Sequence, residues 1–185
     1  MGRWEPDARS RLAAAALDLY LERGFDQTTV ADIAERAGVT ERTFFRHFSD
    51  KREVLFDAGN RLENGVVAAI GESAEGSALA IVEHGFAEGA GFLDEDRRPH
   101  SRRRAAALDA TPALMERELL KMHRLREAAA AALVVRGIPP VEARIAAEAG
   151  GACFAAGFAN WIDAESTDDL PTCIHRAFAA LRSAL

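Results

Sequence analysis

The stretch that most constrains the fold runs from Thr28 to Lys51 and reads T-T-V-A-D-I-A-E-R-A-G-V-T-E-R-T-F-F-R-H-F-S-D-K. Its first half carries apolar residues three and four positions apart, which is the spacing of one helix face. These residues are Val30, Ile33, Ala34 and Ala37. Thr28 or Thr29 is placed to cap the start of this helix, and Gly38 is placed to end it.

The second half predicts another short helix, capped by Thr40. Phe44 and Phe48 lie four residues apart, so we expect them to share a buried face. Arg42 and Arg46 project from the opposite side. Two short helices joined by a tight glycine turn indicate a helix-turn-helix, and a helix with an exposed basic face is of the kind that enters a DNA major groove. An isolated arginine is more often simply solvated, so the joint spacing carries the prediction.

Together, T-T-V-A-D-I-A-E-R-A-G and V-T-E-R-T-F-F-R-H-F-S-D-K resemble the DNA-binding signature of the TetR family of bacterial transcriptional regulators. The resemblance is specific over the N-terminal part of the chain and only architectural beyond it. It implies contacts to phosphates or base edges from Thr29, Thr40, Thr43, His47 and Lys51. It also implies that Glu41, Arg42 and Thr43 lie nearest the bases, while Arg46 suits either purpose.

One residue departs from the family pattern, because many members have tyrosine where this chain has Phe45. A phosphate hydrogen bond from a phenol is therefore not available here. Phe45 keeps the ability to make apolar contact with a thymine methyl group or a sugar.

Composition limits how DNA can be bound. The chain has 185 residues, 49% of them hydrophobic and 28% charged, as in an ordinary globular protein. A net charge of -6 argues against general affinity for nucleic acid. Binding has to use a local patch, and residues 40–52 supply one with four basic side chains against two acidic ones.

Several other classes of protein find no support in the sequence. No apolar run approaches the roughly 18 residues of a membrane span, and no export signal is present, so we expect a soluble, cytoplasmic chain without a membrane partner. Cys153 and Cys173 give no disulfide framework or zinc spacing. The histidines show no metal-ligand spacing, and neither a nucleophile elbow nor a phosphate-binding glycine loop occurs. We therefore expect no catalytic residue, metal or cofactor.

The periodicity of the whole chain predicts an all-α fold of about nine helices without strands. We place a three-helix DNA-binding domain at residues 1–52 and a helical effector-binding and dimerisation domain at residues 53–185. The capping spacing from Asp50 to Glu53 predicts that the helix linking the two begins there and runs toward Ile70.

The penultimate helix contains glycines, each of which costs roughly 0.5 to 1 kcal/mol relative to alanine and so indicates close packing. In the resembled family, the last two helices pair with their copies in a dimer. The corresponding candidates are Gly150, Gly151, Phe154, Gly157, Phe158, Ile174, Phe178 and Leu181. The alternative is that these residues pack within their own chain.

Large side chains in the second part are candidates for an effector pocket, because such pockets are mainly apolar with few polar groups. They are Phe86, Phe92, Met115, Leu119, Met122, His123 and Trp161. Each also fits plain core packing. The arginines between Arg97 and Arg104 are either solvated surface or a site for the phosphates of an anionic effector.

We therefore predict a homodimeric transcriptional regulator, a repressor that a small hydrophobic effector releases from a palindromic operator in double-stranded DNA. An activator or co-repressor-type regulator that senses an anionic effector, such as an acyl-coenzyme A, is the alternative. An enzyme or a helical protein-interaction module would be a function of another class.

Overall fold

The computed structural model describes residues 7–56 and 59–184, and within these residues all regular structure is helical. Nine α-helices occur in this described part, and the all-α prediction is confirmed. They are α1 (Ala8–Arg23), α2 (Val30–Arg36), α3 (Glu41–His47), α4 (Gly59–Glu72), α5 (Ala78–Gly89), α6 (Arg98–Asp109), α7 (Pro112–Val135), α8 (Pro140–Ile162) and α9 (Leu170–Ser183). Short 3-10 helices occupy Glu53–Phe56 and Glu95–Arg97. Among the described residues, no helix combines the length and apolarity that a membrane crossing requires.

The linking helix differs from its prediction. The carboxylate of Asp50 accepts from the backbone N–H of Glu53 at 3.2 Å, as the capping spacing predicts. The turn that it begins is a 3-10 helix, Glu53–Phe56, and α4 itself starts at Gly59. The segment is therefore not one regular helix within its described residues.

The chain divides into two compact units, and the first combines residues 1–58 with residues 103–118. Its core joins α1, α2 and α3 to residues much later in the chain. Leu12, Ile33 and Phe44 are fully buried there, together with Leu114 from α7. The domain boundary that we predict at residue 52 stays a prediction. The compact unit extends beyond it and includes the 3-10 helix Glu53–Phe56.

The second unit consists of residues 59–102 and 119–185. In it, α4 and α5 approach so closely that a Cβ atom added at Gly89 would lie 2.4 Å from the backbone nitrogen of Val66. Arg136, at the end of α7, donates to the carbonyl oxygens of Ile70 at 2.8 Å and Gly71 at 3.0 Å. These oxygens lie at the C-terminal end of α4. The last carbonyl groups of a helix have no N–H partner within the helix, so Arg136 supplies one.

Candidate DNA-binding and effector sites

Thr29 begins α2 with a reciprocal capping arrangement. Its hydroxyl accepts from the backbone N–H of Asp32 at 3.1 Å, and the Asp32 carboxylate accepts from the backbone N–H of Thr29 at 2.8 Å. The hydroxyl of Thr29 also donates to that carboxylate, and this bond is the main cause that lowers the pKa of Asp32 to about 2. Of the two predicted caps, Thr28 is instead buried, and its hydroxyl donates to the carbonyl of Gly24 at 2.8 Å.

The turn between α2 and α3 depends on Gly38, whose φ of 67° lies in the left-handed region. The backbone N–H of Val39 then donates to the carbonyl of Ala34 at 2.9 Å, which closes the turn. Thr40 caps α3 by accepting from the backbone N–H of Thr43 at 3.2 Å. Both short helices thus begin where the threonines predict.

The two sides of α3 differ as the phenylalanine spacing predicts. Phe44 and Phe48 are 0% and 4% exposed, and their ring centres lie 5.7 Å apart in the core of the first unit. Thr40, Glu41, Arg42, Phe45 and Arg46 are exposed, and Thr43 and His47 are half-buried at the boundary. The predicted DNA-contacting residues of α3 therefore share one accessible surface.

Lys51 is held from two sides. Its ammonium group donates to the carbonyls of Phe25 and Thr28, both at 2.9 Å, and lies 4.2 Å from the centre of the Phe25 ring. The hydroxyl of Tyr20 donates to the carbonyl of Lys51 at 2.5 Å, and burial raises the pKa of this tyrosine. An ammonium has three N–H donors, so one remains for a phosphate. Sequence reasoning missed the link to Tyr20, which is 31 residues away and has no local signal.

Residues of α6 and α7 brace the end of the first unit, which sequence reasoning also missed. Arg117 forms a two-point ion pair with Glu53, at 2.5 and 3.0 Å. Arg104 pairs with Glu118 at 2.6 Å. Both guanidinium groups also lie near the Phe56 ring, at 5.1 Å for Arg104 and 5.8 Å for Arg117. These contacts hold the 3-10 helix Glu53–Phe56 to the segment 103–118.

The structure does not bring all the predicted pocket residues together. Phe86 and Trp161 are fully buried in the core of the second unit, and Met122 packs partly buried against it. Leu119 is 62% exposed, and His123 is also exposed. The remaining two candidates lie elsewhere: Met115 packs on the core of the first unit, and Phe92 is half-buried with the guanidinium of Arg61 4.6 Å from its ring.

Four aromatic side chains of the second unit form a continuous row, the aromatic row. The ring centres of Phe86 and Phe154 lie 5.8 Å apart, those of Phe154 and Phe158 5.9 Å, and those of Phe158 and Trp161 5.7 Å. The indole N–H of Trp161 donates to the carboxylate of Glu95 at 3.1 Å. The row is an apolar region with one polar end.

The glycines of α8 lie against their own chain, which is the alternative that the sequence left open. A Cβ atom added at Gly150 would lie 2.7 Å from the Phe86 ring, and one added at Gly157 would lie 2.9 Å from the backbone of Ile174. Gly151 leaves space for the side chain of Arg126. Of the remaining candidates, Phe154, Ile174 and Phe178 are buried, and Phe158 and Leu181 are partly buried.

The arginines between residues 97 and 104 mostly bind protein oxygens. Arg98 and Arg102 donate to backbone carbonyls within the segment 162–168, at 2.5 and 2.6 Å. The guanidinium of Arg98 also lies 5.5 Å from the Trp161 ring. Arg103 pairs with the carboxylate of Asp18 at 2.6 Å. Together with Arg104, described above, four of these side chains are engaged in holding the fold.

Two family models match the chain. The model for bacterial regulatory proteins of the tetR family matches residues 12–58, and the model for the MftR C-terminal domain matches residues 76–185. The first match contains α2 and α3, and the second contains α5 to α9.

Individual relatives match different shares of the chain. The transcriptional regulator TcmR of Streptomyces glaucescens is 42% identical over 62 residues, which are 34% of this chain and 27% of TcmR. The chain therefore matches only about a quarter of that relative's length. The fatty acid degradation regulator FadR from Bacillus halodurans has a TM-score of 0.60 at 14% identity, over 99% of this chain and 98% of that chain. FadR from Bacillus subtilis, in complex with stearoyl-CoA, has a TM-score of 0.60 at 17% identity, over 95% and 98%. At these identities the solved structures show the shared fold.

Proposed function

The chain belongs to the TetR family of bacterial regulatory proteins, and we propose that it is a dimeric repressor that a small, mainly apolar molecule releases from a palindromic operator. The observation that carries DNA binding is the exposed face of α3, where Arg42 and Arg46 stand opposite the buried Phe44 and Phe48. A repressor of this kind acts in the bacterial cytoplasm, on the nucleoid when it is bound.

DNA binding is tested by selecting duplexes from a random library with the full chain, alongside a mobility-shift assay on the DNA upstream of its own gene. We expect one palindromic sequence to be enriched. Its half-sites should be spaced by about one helical turn, roughly 34 Å, since two heads of a dimer then read one face of the duplex. If no sequence binds better than random DNA, the proposed function fails.

We place the dimer contact on the outward faces of α8 and α9 rather than on their buried glycines. On their exposed sides both helices carry small or apolar residues, which let a partner helix approach closely, beside charged ones such as Glu148 and Arg176. They carry Val141, Ile145, Ala152, Ala155, Ala156 and Ala159 on α8, and Ala179, Ala180 and Ser183 on α9.

A charge on this face tests the placement. Ala152→Glu should shift the sedimentation of the chain from dimer to monomer, because two buried carboxylates would meet without partners. Ala164→Glu is the matched control, since Ala164 is exposed just beyond the end of α8. A chain that stays dimeric with Ala152→Glu would place the contact elsewhere.

The effector is proposed to bind within the second unit, beside the aromatic row. The chain passes between the units at three points, after residues 58, 102 and 118, and the last two lie within α6 and α7. These helices, together with the start of α4, are our proposed route of coupling. A complete switch from about 1:99 to 99:1 requires roughly 5.5 kcal/mol of differential effector binding.

Met122 offers a test because it is half-buried against the core of the second unit. Met122→Trp should abolish release from the operator while leaving operator binding intact. Leu119→Trp adds the same bulk at an exposed position and should leave the response unchanged. Effectors for this assay come from a thermal-shift screen of metabolites and xenobiotics. A Met122→Trp chain that responds at unchanged concentrations would put the effector elsewhere.

An acyl-coenzyme A is our second candidate effector. The Bacillus subtilis protein of similar fold binds stearoyl-CoA, and an acyl chain suits an apolar site such as the aromatic row. The phosphates need cations, however, and Arg98, Arg102 and Arg104 already bind protein oxygens. Thermal shifts with stearoyl-CoA, stearate and free coenzyme A separate the two candidates, because only an acyl-CoA sensor requires both parts of the molecule.

A further inference from the structure

Phe45 presents an aromatic ring to solvent in the middle of the proposed DNA-binding face. Its side chain is 56% exposed, the highest value among the large hydrophobic residues of the described part of the first unit. It lies one turn after Glu41 and Arg42 on α3, and Arg46 follows it directly. All three neighbours are exposed, so the ring belongs to the same surface as the charged groups.

The ring is not needed to complete the core. Phe44 and Phe48 already fill the buried side of α3 at 0% and 4% exposure. Phe45 meets Phe44 edge to face, with ring centres 5.4 Å apart and planes at 81°. This contact covers part of the ring, and more than half of the side chain stays exposed. The exposed apolar area of Phe45 is not buried by its own chain, so a binding partner that covers it would be stabilised by the hydrophobic effect.

The chemistry of the ring selects the partner. A phenyl group has no hydrogen-bond donor for a phosphate and no acceptor for a base. Among the base-pair edges in the major groove, the C5 methyl of thymine is the apolar group. We propose that Phe45 packs against the 5-methyl group of one thymine in each half-site of the operator. This inference rests on the proposed function, because it requires α3 to enter the major groove.

The expected size of the effect follows from the area of one methyl group. Burying a single aliphatic carbon contributes about 0.8 kcal/mol, which corresponds to about a fourfold change in affinity. Two symmetry-related thymines in a dimer's operator should therefore account for about a 15-fold change, if the half-sites act independently.

The test starts from the sequence enriched from the random library and replaces each symmetric pair of thymines by uracil, which removes only the methyl groups. We expect one pair to lower the affinity of the unaltered chain by about 15-fold. The Phe45→Ala chain should bind the thymine and uracil duplexes equally at that pair. A second comparison places cytosine or 5-methylcytosine, paired with guanine, at the same position. The unaltered chain should bind the 5-methylcytosine duplex more tightly, because the two duplexes differ only in the methyl group.

Two variants guard the interpretation. Phe45→Tyr keeps the ring and should keep the discrimination between thymine and uracil. Leu21→Ala removes another exposed large hydrophobic side chain of this unit and should leave that discrimination unchanged. Because Phe45 is exposed, Phe45→Ala should unfold at the same temperature as the unaltered chain. If Phe45→Ala weakens thymine and uracil duplexes alike at every position, the ring contacts the sugar-phosphate backbone and the inference is overturned. If no sequence is enriched at all, the proposed function itself has failed.

Discussion

Replacing Gly157 by alanine distinguishes a packing glycine from a dimer-contact glycine. A Cβ atom at this position would lie 2.9 Å from both the Cα and the backbone nitrogen of Ile174, and 3.1 Å from the carbonyl carbon of Cys173. These are backbone atoms of α9, so no side-chain rotation relieves the contact. The two helices have to separate by several tenths of an ångström.

The magnitude follows from two opposing effects. Overpacking a well-packed core costs about 1 to 3 kcal/mol. Alanine is the better helix former and returns about 0.5 to 1 kcal/mol in a helix interior. The difference between these ranges runs from about 0 to 2.5 kcal/mol, and from their midpoints we expect Gly157→Ala to lower the free energy of unfolding by about 1.3 kcal/mol. In a chain of this size, each kcal/mol corresponds to about 2 to 4 °C in Tm.

Gly71→Ala is the matched control, because Gly71 is also helical and a Cβ atom there would meet nothing within 4 Å. It keeps the helix-propensity gain without the clash, so it should raise Tm slightly. The difference between the two variants then measures the overpacking cost alone. Urea and thermal unfolding at several protein concentrations provide the assay, since stability of a dimer depends on concentration.

The concentration series contains the refutation. If Gly157 packs only within its own chain, Gly157→Ala shifts the unfolding midpoint equally at every concentration. If Gly157→Ala instead leaves unfolding of the monomer unchanged and weakens dimerisation, the glycine faces a partner helix and our reading of the close contact with Ile174 is wrong.

Three further predictions concern single side chains. Arg42→Ala should reduce discrimination between operator and random DNA by about 1 to 3 kcal/mol without changing Tm. Lys51→Ala should weaken binding to operator and random DNA alike and lower the salt slope by about 1. It should also lower Tm, since the Lys51 ammonium holds two backbone carbonyls. Equal loss of specificity from both would contradict these roles in a mobility-shift assay. Arg136→Ala should cost about 1.5 to 3 kcal/mol in urea unfolding because it removes charged hydrogen bonds to the end of α4, and a cost near zero would mean that water replaces them fully. The folded pKa of Asp32, about 2, lies below its ordinary value of 3.8, so the unfolded chain binds more protons between these values and stability should fall as pH drops from about 4 to 2. Asp32→Asn should lack that part of the pH dependence, and identical acid unfolding curves would show that the carboxylate contributes nothing.

The helix-turn-helix formed by α2 and α3 was predictable because its sequence signals are local. Capping by Thr29 and Thr40 and the turn at Gly38 act within four residues, and the faces of α3 follow from the spacing of Phe44 and Phe48. The long-range contacts had no such signal. Tyr20 and Lys51, or Arg117 and Glu53, meet only because the tertiary fold brings distant segments together.

The second unit shows where pattern reasoning stops. The helices were predictable from periodicity, but periodicity does not say which neighbour covers an apolar face. Gly150 and Gly157 read equally well as contacts to a partner or to α5 and α9, and the structure places their own chain there. In the same way, Leu119 and Phe86 have similar hydrophobicity in the sequence, although one is exposed and the other is fully buried.

The discontinuous first unit has a consequence for synthesis of the protein. Its core includes Leu108 and Leu114, so the residues that complete it leave the ribosome only after α4, α5 and most of α6 have been made. The core around the helix-turn-helix is therefore completed only after about half of the chain that follows it has been synthesised, since contacts of long sequence separation form late. A truncated chain that ends before these residues would lack part of the core of its DNA-binding unit, and it would therefore have little opportunity to occupy an operator.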